Sequence, residues 1–114
     1  MTIHLYGIPN CDTVKKARRY LEARGLDHVF HDFKKEGADP EQLARWIEAE
    51  GVDTVLNRRG TTFRKLDDAD KADIDAARAV TLLQSQPSMI KRPVVEHAAG
   101  LLVGFKEDEW DAAF

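Results

Sequence analysis

This chain has no second cysteine. Cys11 is its one thiol in 114 residues, so no internal disulfide can form and no intramolecular dithiol switch can operate. Apolar runs long enough to span a bilayer are missing, as is a secretory apolar segment near the start. Positive charge is not in excess either. Seventeen Lys and Arg stand against 20 Asp and Glu, a net charge of −3, so no global field argues for nucleic acid. Basic clusters at Lys15 to Arg19 and at Lys91-Arg92 are short. There is no internal repeat, low-complexity tract or linker. What remains is an apolar fraction of 43%, enough for one core, under a 32% charged surface. The expectation is a single domain over residues 1–114, cytoplasmic, with no membrane or nucleic-acid partner.

The setting of the lone thiol is the most informative local pattern. Thr2-Ile3-His4-Leu5-Tyr6 leans towards a strand, and Gly7-Ile8-Pro9-Asn10 breaks it. From Asp12 onward, Val14, Ala17 and Leu21 recur on one helical face. Asn10 or Asp12 suits the N-cap. Either choice leaves Cys11 at a helix N-terminus, where unpaired N–H groups and the helix dipole favour an anion such as a thiolate. Lys15 and Lys16 add positive potential and Asp12 opposes it. A lone cysteine is more often a small buried apolar residue; the strand, turn and helix start are what raise the reactive reading.

Further along, His28-Val29-Phe30-His31-Asp32-Phe33 reads as a second strand, completing a βαβ unit. Asp39-Pro40-Glu41 opens a helix with Pro40 at its first position, Leu43, Trp46 and Ile47 on its apolar face, and Gly51 at its end. Asn57 to Thr62 is a polar loop, and Asp70 to Gln84 is helical by spacing. Val94 to His97 and Leu101 to Phe105 form a hairpin across Ala98-Ala99-Gly100, with Gly100 at positive φ. Glu107 to Phe114 makes a last short helix. The order predicts an α/β fold: a thioredoxin-like, mixed four-stranded sheet with a helical insertion at about 39–86. His28 and His31 face opposite sides of a strand, so the H-x-x-H spacing predicts no metal site. Asp67, Asp68 and Asp70 read as a solvated loop and cap, and Trp46 and Trp110 as packing.

Three segments then carry a family resemblance over essentially the whole chain. They are Leu5 to Ala17 around Cys11, Leu56-Asn57-Arg58-Arg59-Gly60-Thr61-Thr62-Phe63-Arg64-Lys65-Leu66, and Pro87-Ser88-Met89-Ile90-Lys91-Arg92-Pro93. Leu102-Val103-Gly104-Phe105 adds a final strand. Together they resemble the YffB-type branch of the arsenate reductase (ArsC)/Spx family. The resemblance implies a thioredoxin-like, ArsC-like fold and a glutathione-dependent thiol oxidoreductase with no permanently bound cofactor. Cys11 matches the family's catalytic cysteine. Arg92 matches an arginine beside the active site, and Pro93 resembles the cis-proline of thioredoxin-like folds. Arg59 matches a second arginine, with Arg58 the alternative if the alignment slips by one.

The implied cycle forms and resolves a mixed disulfide on Cys11 or reduces an oxyanion. Free glutathione serves as co-substrate, and Arg59, Arg92 and Lys15 complement its carboxylates. Two departures matter. The family's third arginine has no match, since Gly104-Phe105-Lys106 stand there, and this argues against efficient arsenate reduction. Spx regulators often carry Cys-x-x-Cys, whereas this chain has Val14 at the second position. The partners implied are glutathione or an oxidised thiol substrate, with glutaredoxin or RNA polymerase as protein contacts. A non-catalytic, Spx-like binding protein that contacts the transcription machinery is the alternative.

Overall fold

Alternation at the start of the chain decides the first strand. In the computed structural model, which describes residues 2–114, Ile3, Leu5 and Gly7 of β1 (Ile3–Gly7) are buried while His4 and Tyr6 face the other side. The chain divides into two compact units, one formed by the residues up to Glu36 with Arg92–Phe114, the other by Gly37–Lys91.

In the first unit, α1 (Asp12–Ala23) returns the chain to β2 (His28–Asp32), which pairs parallel to β1. β3 (Val94–His97) pairs antiparallel to β1, and β4 (Gly100–Val103) antiparallel to β3, giving the order β2-β1-β3-β4. This is the expected mixed four-stranded sheet. Val14, Ala17 and Leu21 of α1 pack with Ile3, Leu5 and Val95, and Trp110 of the last helix completes the same cluster. Trp110 is fully buried, and its indole N–H donates to the Gly104 carbonyl at 3.2 Å. Asp111, on that helix, ties it to Tyr20 and Arg24 at the edge of the cluster. The second strand ends one residue sooner than expected. Phe33 opens a short helical turn, α2 (Phe33–Glu36), because the buried Asp32 carboxylate accepts the Lys34 N–H at 2.8 Å.

Gly7 is the last residue of β1 and not a strand breaker. A Cβ at this position would lie 2.8 Å from Cγ2 of Val14 and 3.3 Å from Cγ1. Only glycine lets α1 approach the strand this closely. Gly7→Ala should therefore cost about 1–3 kcal/mol through overpacking. The double variant Gly7→Ala/Val14→Ala should recover part of that loss. Urea midpoints at unchanged m-value are the measurement; a Gly7→Ala protein as stable as the native one would contradict the close approach.

In the second unit, α3 (Pro40–Glu50) begins as expected. Asp39 is the N-cap and accepts the Glu41 N–H at 3.2 Å, and Gly51 closes the helix at φ 90. Leu43, Trp46 and Ile47 are buried. Short turns follow, α4 (Val52–Val55), α5 (Thr61–Arg64) and α6 (Asp68–Lys71), then α7 (Ala76–Ser85), which packs on α3. The continuous helix expected from Asp70 to Gln84 is interrupted. Asp73 takes a left-handed φ of 52, which Asp tolerates better than most residues. Asp75 then caps a fresh helix by accepting the Arg78 N–H at 2.9 Å. The loop from Asn57 is also shorter than expected, since Thr61 already starts α5. A 3₁₀ turn at Pro87–Met89 leads to an isolated bridge between Leu56 and Ile90.

Candidate active site

Cys11 is the N-cap of α1, displacing the expected Asn10 or Asp12. Its backbone is extended, at φ −131 and ψ 120, and its carbonyl accepts the Lys15 N–H at 2.9 Å. The Cys11 side chain makes no capping hydrogen bond. The N–H groups of Asp12, Thr13 and Val14 precede the first intrahelical bond, so they point out of the end of the helix that carries the thiol. Cys11 is half-buried and rests against the core cluster. The pull of the helix dipole on an anion acts at this end. Lys15 lies one turn further on and is exposed.

Register brings a second element to the same place. Tyr6 pairs with Val94 across the antiparallel β1–β3 ladder. The residues that follow Tyr6 and lead to Cys11 therefore leave the sheet at the same end at which Arg92 and Pro93 enter it. The Arg92–Pro93 peptide bond is cis. Pro93 is buried and Arg92 half-buried. The Pro93 carbonyl accepts the Gly104 N–H at 2.8 Å. Among the described residues, the Arg92 guanidinium has no ion-pair or hydrogen-bond partner, and the Arg92 main chain makes no backbone hydrogen bond.

The end of the last hairpin arrives here too. Val94 pairs with Val103, so β4 runs out beside the start of β3. β4 stops at Val103, short of the Phe105 expected, because Gly104 turns the chain at φ 81 and binds Pro93. The hairpin turn is correspondingly tighter. Gly100 already pairs with His97, and its φ is 143. Lys106, the N-cap of α8 (Glu107–Ala113), follows two residues after Gly104. A cation thus stands in the segment where the resemblance finds no match for a third arginine.

Arg58 and Arg59 belong to the second unit. Arg58 is committed: its guanidinium pairs with Asp53 at 2.9 Å and lies over the Phe63 ring at 5.5 Å. Arg59 is exposed; its backbone N–H donates to Asn57 Oδ1 at 3.2 Å, and its side chain has no partner among the described residues. Of the two arginines, Arg59 is the one with an uncommitted side chain.

His4, His31 and Glu36 form a cluster that the sequence pattern does not display, since the two histidines lie on separate strands. The signal was the register of β1 on β2. It sets His4 and His31 on one face while His28, beside Ile3, takes the other. No spacing within one segment displays such a pairing. Among the described residues, no three His, Cys, Asp or Glu side chains could hold a metal ion, and no helix is long and apolar enough to cross a membrane.

Comparisons with known proteins bear on the family and the fold. A solved YffB protein is similar at 56% identity, with a TM-score of 0.95 and 98% of each chain covered. An arsenate reductase (ArsC) related protein from Brucella melitensis is similar at 51% identity and a TM-score of 0.79, covering 98% of this chain and 93% of its own. The global transcriptional regulator Spx of Streptococcus pneumoniae strain R6 is 28% identical over 109 residues, 94% of this chain and 81% of the regulator. The ArsC family pattern matches residues 6–113, from the strand before Cys11 to the helix after Lys106, and the chain belongs to the ArsC family.

Proposed function

We propose that this protein is a cytoplasmic, glutathione-dependent monothiol oxidoreductase with Cys11 as its nucleophile. One observation carries the reading. The sheet register brings the N-cap cysteine of α1 and an arginine whose guanidinium has no partner among the described residues to one end of the sheet. The Cys11 thiolate attacks a sulfur of a glutathione mixed disulfide. A bond forms between Cys11 and the glutathionyl sulfur, and the substrate thiolate leaves. A second glutathione thiolate then attacks the Cys11 adduct, releasing oxidised glutathione and restoring the Cys11 thiolate. Glutaredoxin could supply the resolving thiol in place of free glutathione. Arg92, whose main chain makes no backbone hydrogen bond among the described residues, suits an extended tripeptide with a carboxylate, and Lys15 adds charge. Arg59 is the second arginine in this reading. The test is mass spectrometry of the protein after incubation with oxidised glutathione. One glutathionyl group per chain is expected, and its removal by added reduced glutathione. Failure to form the adduct while a small free thiol exchanges under the same conditions would reject the cycle.

Arsenate should be a poor substrate. The family's third arginine is replaced by the Gly104-Phe105-Lys106 segment, and lysine supplies a point charge but no bidentate fork for an oxyanion. In a side-by-side assay with glutathione, turnover should fall far below that of an arsenate reductase of the family. Comparable turnover would mean that Lys106 or another residue fills the role.

The likeness to Spx over 94% of this chain favours a second reading, a non-catalytic protein that contacts the transcription machinery. Co-purification with RNA polymerase that persists in Cys11→Ser, together with no thiol turnover, would establish it over the enzyme.

A further inference from the structure

The sheet face opposite α1 carries a chain of titratable groups that the thiol site does not use. His4 Nδ1 lies 2.8 Å from His31 Nε2, and His31 Nδ1 lies 3.0 Å from Glu36 Oε1. Glu36 Oε2 accepts the Asp32 N–H at 3.0 Å, so the carboxylate is anchored at both oxygens. Tyr6 stacks on the His31 ring with centroids 4.4 Å apart, and its hydroxyl donates to Glu96 at 3.0 Å. Glu96 itself pairs with His4 across β1–β3. The groups facing the two imidazoles are therefore Tyr6 on β1, Glu96 on β3 and Glu36 on α2. Lys34 and Lys35 on α2 are exposed.

Each imidazole nitrogen either donates or accepts. With both rings neutral, His31 Nδ1–H donates to Glu36 and His4 Nδ1–H donates to His31 Nε2. One added proton preserves the His4–His31 bond. It sits on His4 Nε2, or on His31 Nε2 with His4 Nδ1 accepting. A second added proton puts N–H on both facing nitrogens, and two cations meet across 2.8 Å. No hydrogen bond is then possible between the rings.

We propose that His4, His31 and Glu36 form a proton-counting clasp between β1 and the edge strand β2, which holds with zero or one added proton and opens with two. β2 has β1 as its one sheet neighbour among the described residues, so opening the clasp loosens an edge and the α2 turn attached to it. The hydrogen bond from His31 holds the Glu36 carboxyl below its ordinary value. Glu36 accordingly stays anionic through the range in which imidazoles gain their second proton.

The experiment is amide hydrogen exchange by NMR at about pH 7.5 and about pH 5, two values that bracket imidazole protonation. Rates are corrected for intrinsic exchange, and Val29–His31 are compared with the β3 amides. In the native protein, β2 protection should fall about tenfold more than that of β3 on acidification, the scale of one lost hydrogen bond to a charged group. His4→Gln keeps a side chain that can donate or accept but never charges. It should retain protection at the higher pH and lose the acid-dependent fall. Equal acid-dependent falls in the native and His4→Gln proteins would overturn the clasp. Should His4→Gln not fold, imidazole proton–nitrogen spectra of the native protein decide. Both rings doubly protonated with β2 protection intact would overturn the proposal, and protection lost in step with the second proton would support it.

Discussion

Native protein mixed with oxidised glutathione should gain one glutathionyl group, whereas the Cys11→Ser protein should gain none and lose all thiol turnover. The loss is complete because the chain has no other sulfhydryl to take over, and a serine hydroxyl does not exchange with disulfides. Stability should move the other way or stay level. Cys11 occupies the N-cap with no side-chain capping bond, and serine is among the favoured residues at that position, worth about 0.5–2 kcal/mol over residues that cannot cap. A Cys11→Ser protein that melts at or above the native temperature and is inert towards glutathione separates chemistry from folding. Undiminished reductase turnover by Cys11→Ser would remove Cys11 from the mechanism. A marked drop in its melting temperature would show the thiol to be chiefly a packing residue.

Arg92→Ala should slow formation of the same adduct by tenfold or more. The guanidinium is half-buried and has no protein partner among the described residues, so its removal breaks no internal ion pair. What it removes is a charged donor for a ligand carboxylate, worth about 1.5–3 kcal/mol. Arg92→Lys restores the charge without the two-pronged geometry and should fall between the two. Rates are compared at matched thiolate fraction, so that a change in ionisation of the nucleophile is not counted as binding. If Arg92→Ala reacts like the native protein after that correction, Arg92 does not bind glutathione. A lysine variant as slow as the alanine variant would place the whole effect in the fork and none in the charge.

The parts of the fold set by local chemistry were legible in the residues. Asp39, Pro40 and Gly51 mark both ends of α3, and each sits where the cap and terminus rules put it. The apolar spacing of Val14, Ala17 and Leu21 found the buried face of α1. Failures came where one side chain redirected the backbone. Asp75 competes for its own helix start, and Asp73 takes a left-handed turn, so helical spacing ran through a break it could not detect. Gly7 looked like punctuation because a glycine's role in packing depends on its neighbour across space, here Val14. The proximity of Arg92 to the Cys11 end of the sheet is a consequence of the Tyr6–Val94 register. Composition and periodicity carry no trace of it. The ion pair that engages Arg58 involves Asp53, five residues upstream, a spacing that no helical or strand period singles out.

The sheet that presents Cys11 is assembled from two distant stretches of chain, with Gly37–Lys91 running between them. During synthesis the ribosome therefore releases β1, α1 and β2 long before β3, the strand that seats Arg92 and Pro93, exists. A lone parallel pair with one helix is marginal in water. Closing the intervening stretch costs conformational entropy that rises only slowly with its length, about 0.6 kcal/mol per doubling. The second unit, continuous in sequence, can organise first and shorten the span that β3 must close. Cys11 thus emerges on the nascent chain well before Arg92 and Pro93, and a chain interrupted ahead of β3 would carry Cys11 without them.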